Sequence, residues 1–213
     1  MKQHEERAHP GWLALALSPL VPPIVWPGIG TLLSLGIVIL ALILVKSSRA
    51  PTLRLFGKAR GFSLALGLGA GLALALAFSL AIEPLIEWSL GEPIDLSSFA
   101  GVEGDLGKYL MLLALGLIFG GIFEELVFRG FVVGWGSAIM GRGAGLWLAL
   151  LSAGAFGLAH PYQGWAGVLS TGLAGFALGL VYLAGGRGLA PAILVHMTLN
   201  FIGITLIYLG LDG

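Results

Sequence analysis

Residues 61–82 read GFSLALGLGAGLALALAFSLAI, an apolar run without a charged residue. A helix needs about 20 such residues to cross a bilayer. Stretches 28–45, 109–128, 143–159, 165–184 and 189–209 read the same way, giving six spans. A seventh, 11–25, is short and holds Pro19, Pro22 and Pro23. It is read as spanning, re-entrant or interfacial. The runs are continuous rather than alternating, which argues against a membrane barrel.

Composition agrees. The chain is 57% hydrophobic and 10% charged, against about 25% charged in a soluble domain. So few charges do not cover a water-facing surface. The reading is an all-α, polytopic transmembrane bundle of six to seven spans: one integral membrane domain over 1–213, embedded in a lipid bilayer. Net charge is zero, so no nucleic-acid partner is expected. With no cysteine, disulfides, a Cys nucleophile and Cys-ligated zinc are excluded. The polar stretch Met1–Pro10 is followed by an apolar run lacking a small-residue cleavage site, so it is read as retained. Nothing in the sequence sets the oligomeric state.

The loops carry an orientation signal. Lys46, Arg49, Arg54, Lys58 and Arg60 lie between the first two clear spans, with no acidic residue among them. The next loop holds Glu83, Glu87, Glu92, Asp95, Glu103 and Asp105, with no basic residue before Lys108. The positive-inside rule puts the first loop in the cytoplasm and the second outside. Arg142 and Arg187 then fall inside by alternation. The glycines of 61–82 (Gly67, Gly69 and Gly71) are read as close helix packing through small residues.

The chemistry-bearing residues are few. From Tyr109 onward, the ionisable groups in spans are Glu124, Glu125, Arg129, His160 and His196. A charge at the bilayer centre costs at least about 2.5 kcal/mol and by default marks a function. Glu125 and Arg129 are i, i+4 and share a helix face, as do His196 and Asn200, and Phe156 and His160. If the chain turns near Arg142, Glu124 lies 18 residues before the turn and His160 lies 18 after it, so the two are level in an antiparallel pair. His196 lies only about ten residues past the turn at Arg187, and the spacing alone does not bring it level. The expected polar cavity lies between the C-terminal helices, with its motifs within 109–208.

Three motifs carry a resemblance. Glu124-Glu125-Leu126-Val127-Phe128-Arg129 is similar to EExxxR, Phe156-Gly157-Leu158-Ala159-His160 to FxxxH, and His196-Met197-Thr198-Leu199-Asn200 to HxxxN. In this order, inside apolar segments, they resemble the CPBP family of intramembrane proteases, the group that includes the type II CAAX prenyl endopeptidases. The resemblance runs over about 109–208, roughly half the chain. It implies an intramembrane endopeptidase with a cavity opening toward the cytoplasm. Glu124, with His160, would activate a water. His196 and Asn200 would stabilise the oxyanion, and Glu125 and Arg129 would hold the site in shape. No cofactor is favoured. The rival is zinc held by Glu124, His160 and His196, although no HExxH is present. The implied partner is a membrane-anchored or lipid-modified peptide or protein in a prokaryotic plasma membrane. Aspartyl and rhomboid-type proteases fit poorly, because no Asp pair lies in spans and there is no Gly-x-Ser-Gly. The alternatives from another class are a proton-coupled transporter and a peptide-binding pseudoenzyme. An inverted repeat would favour the transporter, and the first half shows no ionisable residue in a span to mirror the second.

Overall fold

A computed structural model describes residues 10–211. The polar stretch 1–9 and Asp212 lie outside the described residues. Among the described residues the chain is helical, with no strand. Helix α1 is Gly11–Val25, α2 Ile29–Leu44, α3 Lys46–Thr52, α4 Arg60–Leu90, α5 Leu106–Met140, α6 Arg142–Leu158, α7 Pro161–Ala184 and α8 Leu189–Leu209. Four of these, α4, α5, α7 and α8, are long and apolar enough to cross a membrane. α1, α2 and α6 are apolar but shorter, so six to seven full spans is more than the helix lengths by themselves establish.

α5 is the central post. Every residue from Val127 to Ser137 is buried. A helix buried on every side belongs in the middle of a bundle. One side of it packs Phe128, Phe131 and Trp135 against Ala16, Val38 and Ala41 of α1 and α2. Val133 lies in a second cluster with Leu148, Leu178, Tyr182 and Val195, from α6, α7 and α8.

α4 shows how sequence sets facing. Leu64, Leu68, Leu72, Leu76 and Leu80, spaced by four, are all exposed and form a lipid-facing stripe. The other face buries Ser63, Gly67, Gly71 and Ala75. A Cβ at Gly67 would come within 2.8 Å of Leu194, and one at Gly71 within 2.9 Å of Thr198. Two of the three glycines read as packing residues therefore admit α8 closely. Gly69 does not, since a Cβ there meets nothing within 4 Å.

Two helices run past their expected ends. The 61–82 span continues to Leu90 and the 109–128 span to Met140. Each contains a stretch wound with i→i−5 hydrogen bonds, Phe78–Ile82 in α4 and Gly116–Trp135 in α5. Such π winding is uncommon and recurs at functional sites. In α4 it immediately precedes Pro84, whose ring would otherwise meet the carbonyl of Leu80.

The bundle has two chemically distinct ends. At one, the amides of Leu189 and Ala190 donate to the carbonyls of Arg54 and Leu55, both 2.9 Å, and Arg187 Nη2 donates to the Arg142 carbonyl at 2.7 Å. At the other, the Asp95 amide donates to the Gln163 carbonyl and the Gly104 amide to that of Tyr208. Glu92 Oε1 accepts from the amides of Trp165 and Ala166 there. Asp105 caps α5 by accepting from the Lys108 amide at 3.0 Å, and this bond holds its carboxyl below the usual carboxylate range.

Candidate active site

The site begins with a buried ion pair. Arg129 Nη1 donates to Glu125 Oε1 at 2.7 Å, and both side chains are essentially excluded from solvent. Arg129 Nη2 donates to the Gly175 carbonyl on α7 at 2.7 Å. Glu125 Oε1 also accepts from His196 Nδ1 on α8 at 2.8 Å. One pair therefore ties α5 to both α7 and α8.

That bond fixes the second histidine. A carboxylate only accepts, so His196 carries its proton on Nδ1 and turns Nε2 toward the cavity. Nε2 lies 3.8 Å from Glu124 Oε2. In the neutral ring Nε2 is an acceptor, and it donates only when the imidazole is protonated. His160, just beyond the end of α6, has its Nδ1 2.8 Å from the Phe156 carbonyl. A carbonyl also only accepts, so the other nitrogen of His160 is left free. Pro161 stops the helix at this point, as its position predicts.

Phe156 does more than fill space. Its ring meets Phe128 and His196 edge-on, with centroids 5.1 and 5.8 Å apart, and lies 5.0 Å from the His160 ring. The Arg129 guanidinium sits 4.9 Å from its centroid. Its ring thus lies against both histidines.

The depth of His196, which spacing alone did not supply, has a structural cause. α8 starts recessed. A Cβ on Gly130 would meet Thr52 O at 2.5 Å and Leu189 Cδ2 at 3.4 Å, so the first residue of α8 is level with Gly130, well short of the end of α5. The two helices are antiparallel. Going from Leu189 to His196 along α8 therefore matches going from Gly130 back to Glu124 along α5. A turn further, Asn200 Nδ2 donates to the Gly116 carbonyl at 2.8 Å. Gly120 makes this approach possible, because a Cβ there would stand 2.5 Å from Asn200 Nδ2 and 3.3 Å from His196 Nε2.

Glu124, His160, His196 and Asn200 line one cavity of about 420 Å³ between α4, α5, α7 and α8, a size typical of small-molecule or peptide sites. Both π-wound stretches contribute to its wall, through Phe78 and Ser79 and through Gly116, Gly120 and Glu124. Sequence reasoning missed several lining residues: Tyr162, Gln163, Ser170, Thr171 and Glu83. Glu83 corrects the sequence reading. The spacing assigns it to the acidic loop and leaves the first half without an ionisable residue in a span. Glu83 instead lies within α4, half-buried, accepts from Ser170 Oγ at 3.0 Å and faces the same cavity. Among the described residues, no three His, Asp or Glu side chains gather as metal ligands would.

Fold and site together define a polytopic membrane protein with a sheltered Glu/His/Asn cavity at its core. Residues 106–202, just under half of the chain, match the family described as "Rce1-like: Type II CAAX prenyl endopeptidase Rce1-like", and this part of the chain is similar to that family. The match covers all three motifs. No curated protein and no solved structure matches the chain.

Proposed function

We propose that the protein is an intramembrane endopeptidase that hydrolyses a peptide bond in a membrane-associated or lipid-modified protein or peptide, in a prokaryotic plasma membrane. The observation that carries this reading is the convergence of Glu124, His160, His196 and Asn200 on one cavity inside an apolar bundle. The family match supports it at the level of a CAAX-type endopeptidase.

In the proposed reaction a water sits between Glu124 and the free nitrogen of His160. Glu124 takes its proton as the oxygen attacks the carbonyl carbon. The tetrahedral intermediate carries an oxyanion, which accepts from Asn200 Nδ2 and from His196 Nε2. His196 makes that donation as the imidazolium, with its Nδ1–H held by the Glu125 carboxylate. Collapse breaks the C–N bond, and Glu124 returns the proton to the leaving amine. General acid–base help of this kind contributes about 10²–10⁴-fold, and each oxyanion donor about 10²–10³-fold. The route is proposed as metal-free, with no cofactor.

The test is cleavage of a panel of membrane-tethered peptides by the purified protein, comparing wild type with Glu124→Ala and His160→Ala, with and without chelator. Alanine variants that cut as fast as wild type refute the assigned roles. Cutting that a chelator abolishes and zinc restores refutes the metal-free route. A transporter or a peptide-binding pseudoenzyme yields no product from any peptide.

A further inference from the structure

The polar cavity runs from the core of the bundle to its acidic end. Its lining includes Ile94, Leu96 and Phe99 of the loop after α4 and Tyr162 and Gln163 of the turn before α7, and no residue of the basic loops 46–60, 141–144 and 185–188. These pieces are joined to one another and to the end of α8. Asp95 bonds Gln163, Phe99 and Tyr162 pack ring to ring at 6.1 Å, and the Tyr109 and Tyr208 rings lie 4.6 Å apart. This end carries Glu87, Glu92, Asp95, Glu103 and Asp105, with Glu83 just below, and among the described residues Lys108 is its only Lys or Arg.

The opposite end gathers Lys46, Arg49, Arg54, Lys58, Arg60, Arg142 and Arg187, with no acidic side chain among the described residues. Its hydrogen bonds (Leu189 to Arg54, Ala190 to Leu55, Arg187 to Arg142) show that these basic loops share one face of the molecule. The loops at both ends are short, which is the condition under which Lys and Arg decide orientation. Arg and Lys are held on the cytoplasmic side, where the leaflet surface is anionic.

We infer that the cavity opens on the non-cytoplasmic side of the membrane, opposite to the cytoplasmic opening that the family resemblance implies. The orientation stands on the charges and the geometry. Only the consequence for substrate rests on the proposed protease reading: the cut segment must be presented from the non-cytoplasmic face, as in an exported peptide that remains anchored after translocation.

The chain contains no cysteine, so single-cysteine variants need no altered background. Ser98→Cys lies exposed in the loop at the cavity mouth, and Ala59→Cys lies exposed at the basic end. Spheroplasts expressing each full-length variant are treated with a membrane-impermeant maleimide, before and after permeabilisation. The inference expects Ser98→Cys to label in intact spheroplasts and Ala59→Cys only once they are permeabilised. The reverse pattern overturns it, as does equal labelling of both before permeabilisation or labelling of neither until afterwards. The readout involves no catalysis, so a protein that labels as expected but cuts no peptide sinks the hydrolase and leaves the orientation standing.

Discussion

Arg129→Met tests whether the Glu125–Arg129 pair is the tie that the structure makes it. Both side chains are buried, at 0% and 1% exposure, and joined at 2.7 Å. Methionine keeps most of the buried stem and removes every donor. Glu125 Oε1 is then left with His196 alone, Glu125 Oε2 still has no partner among the described residues, and the Gly175 carbonyl loses its side-chain donor. Removing one partner of a buried ion pair costs about 3–5 kcal/mol. In a chain of this size each kcal/mol lowers Tm by about 2–4 °C, so the loss expected is about 6–20 °C. Thermal unfolding in detergent, followed by the fluorescence of the six tryptophans, reads it directly. The double variant Glu125→Leu/Arg129→Met replaces the pair with apolar side chains and recovers much of the loss, since such exchanges are often close to neutral. It remains inactive, because His196 has lost its partner. A single variant within about 2 °C of wild type, the range of a surface change, refutes the reasoning. So does a double variant less stable than the single one.

Gly120→Ala places a methyl against Asn200 and His196. It lowers kcat by about 10²-fold through misplacement of about an ångström, while Gly69→Ala, with open space around it, leaves peptide cleavage unchanged. Asn200→Ala lowers kcat by about 10²–10³-fold with little change in KM, as loss of an oxyanion donor should in steady-state cleavage assays. Tyr182→Phe removes a buried hydroxyl that has no partner among the described residues. It raises stability by about 1 kcal/mol or more in thermal unfolding, and a lowered Tm would contradict that.

The sequence exposes the site for a physical reason: ionisable groups are so costly in an apolar span that those present stand out. Counting residues from the turn at Arg142 suffices to set Glu124 level with His160, because α6 follows α5 directly. His196 resists the same count. Its depth depends on where α8 begins, and that is set by α3 and the Arg54–Leu55 stretch docking beside Gly130, a tertiary contact with no local signature. Glu83 evades the sequence signal for a different reason. A charge followed by Pro84 looks like the end of a span, yet the π turn before it absorbs the proline and the helix runs on to Leu90. The glycines of α4 show the limit of composition. Gly67 and Gly71 sit on the packed face and Gly69 on the open one, a distinction that follows from helical spacing only once the position of α8 is known.

In the proposed reaction the Glu124 carboxylate moves the proton of an attacking water inside this cavity. The most direct measurement is kcat for a membrane-tethered peptide with purified wild type and with Glu124→Gln, which keeps the size and polarity of the side chain, at matched thermal stability. A fall of about 10²–10⁴-fold is predicted. Cleavage by Glu124→Gln at a rate close to that of wild type would contradict it.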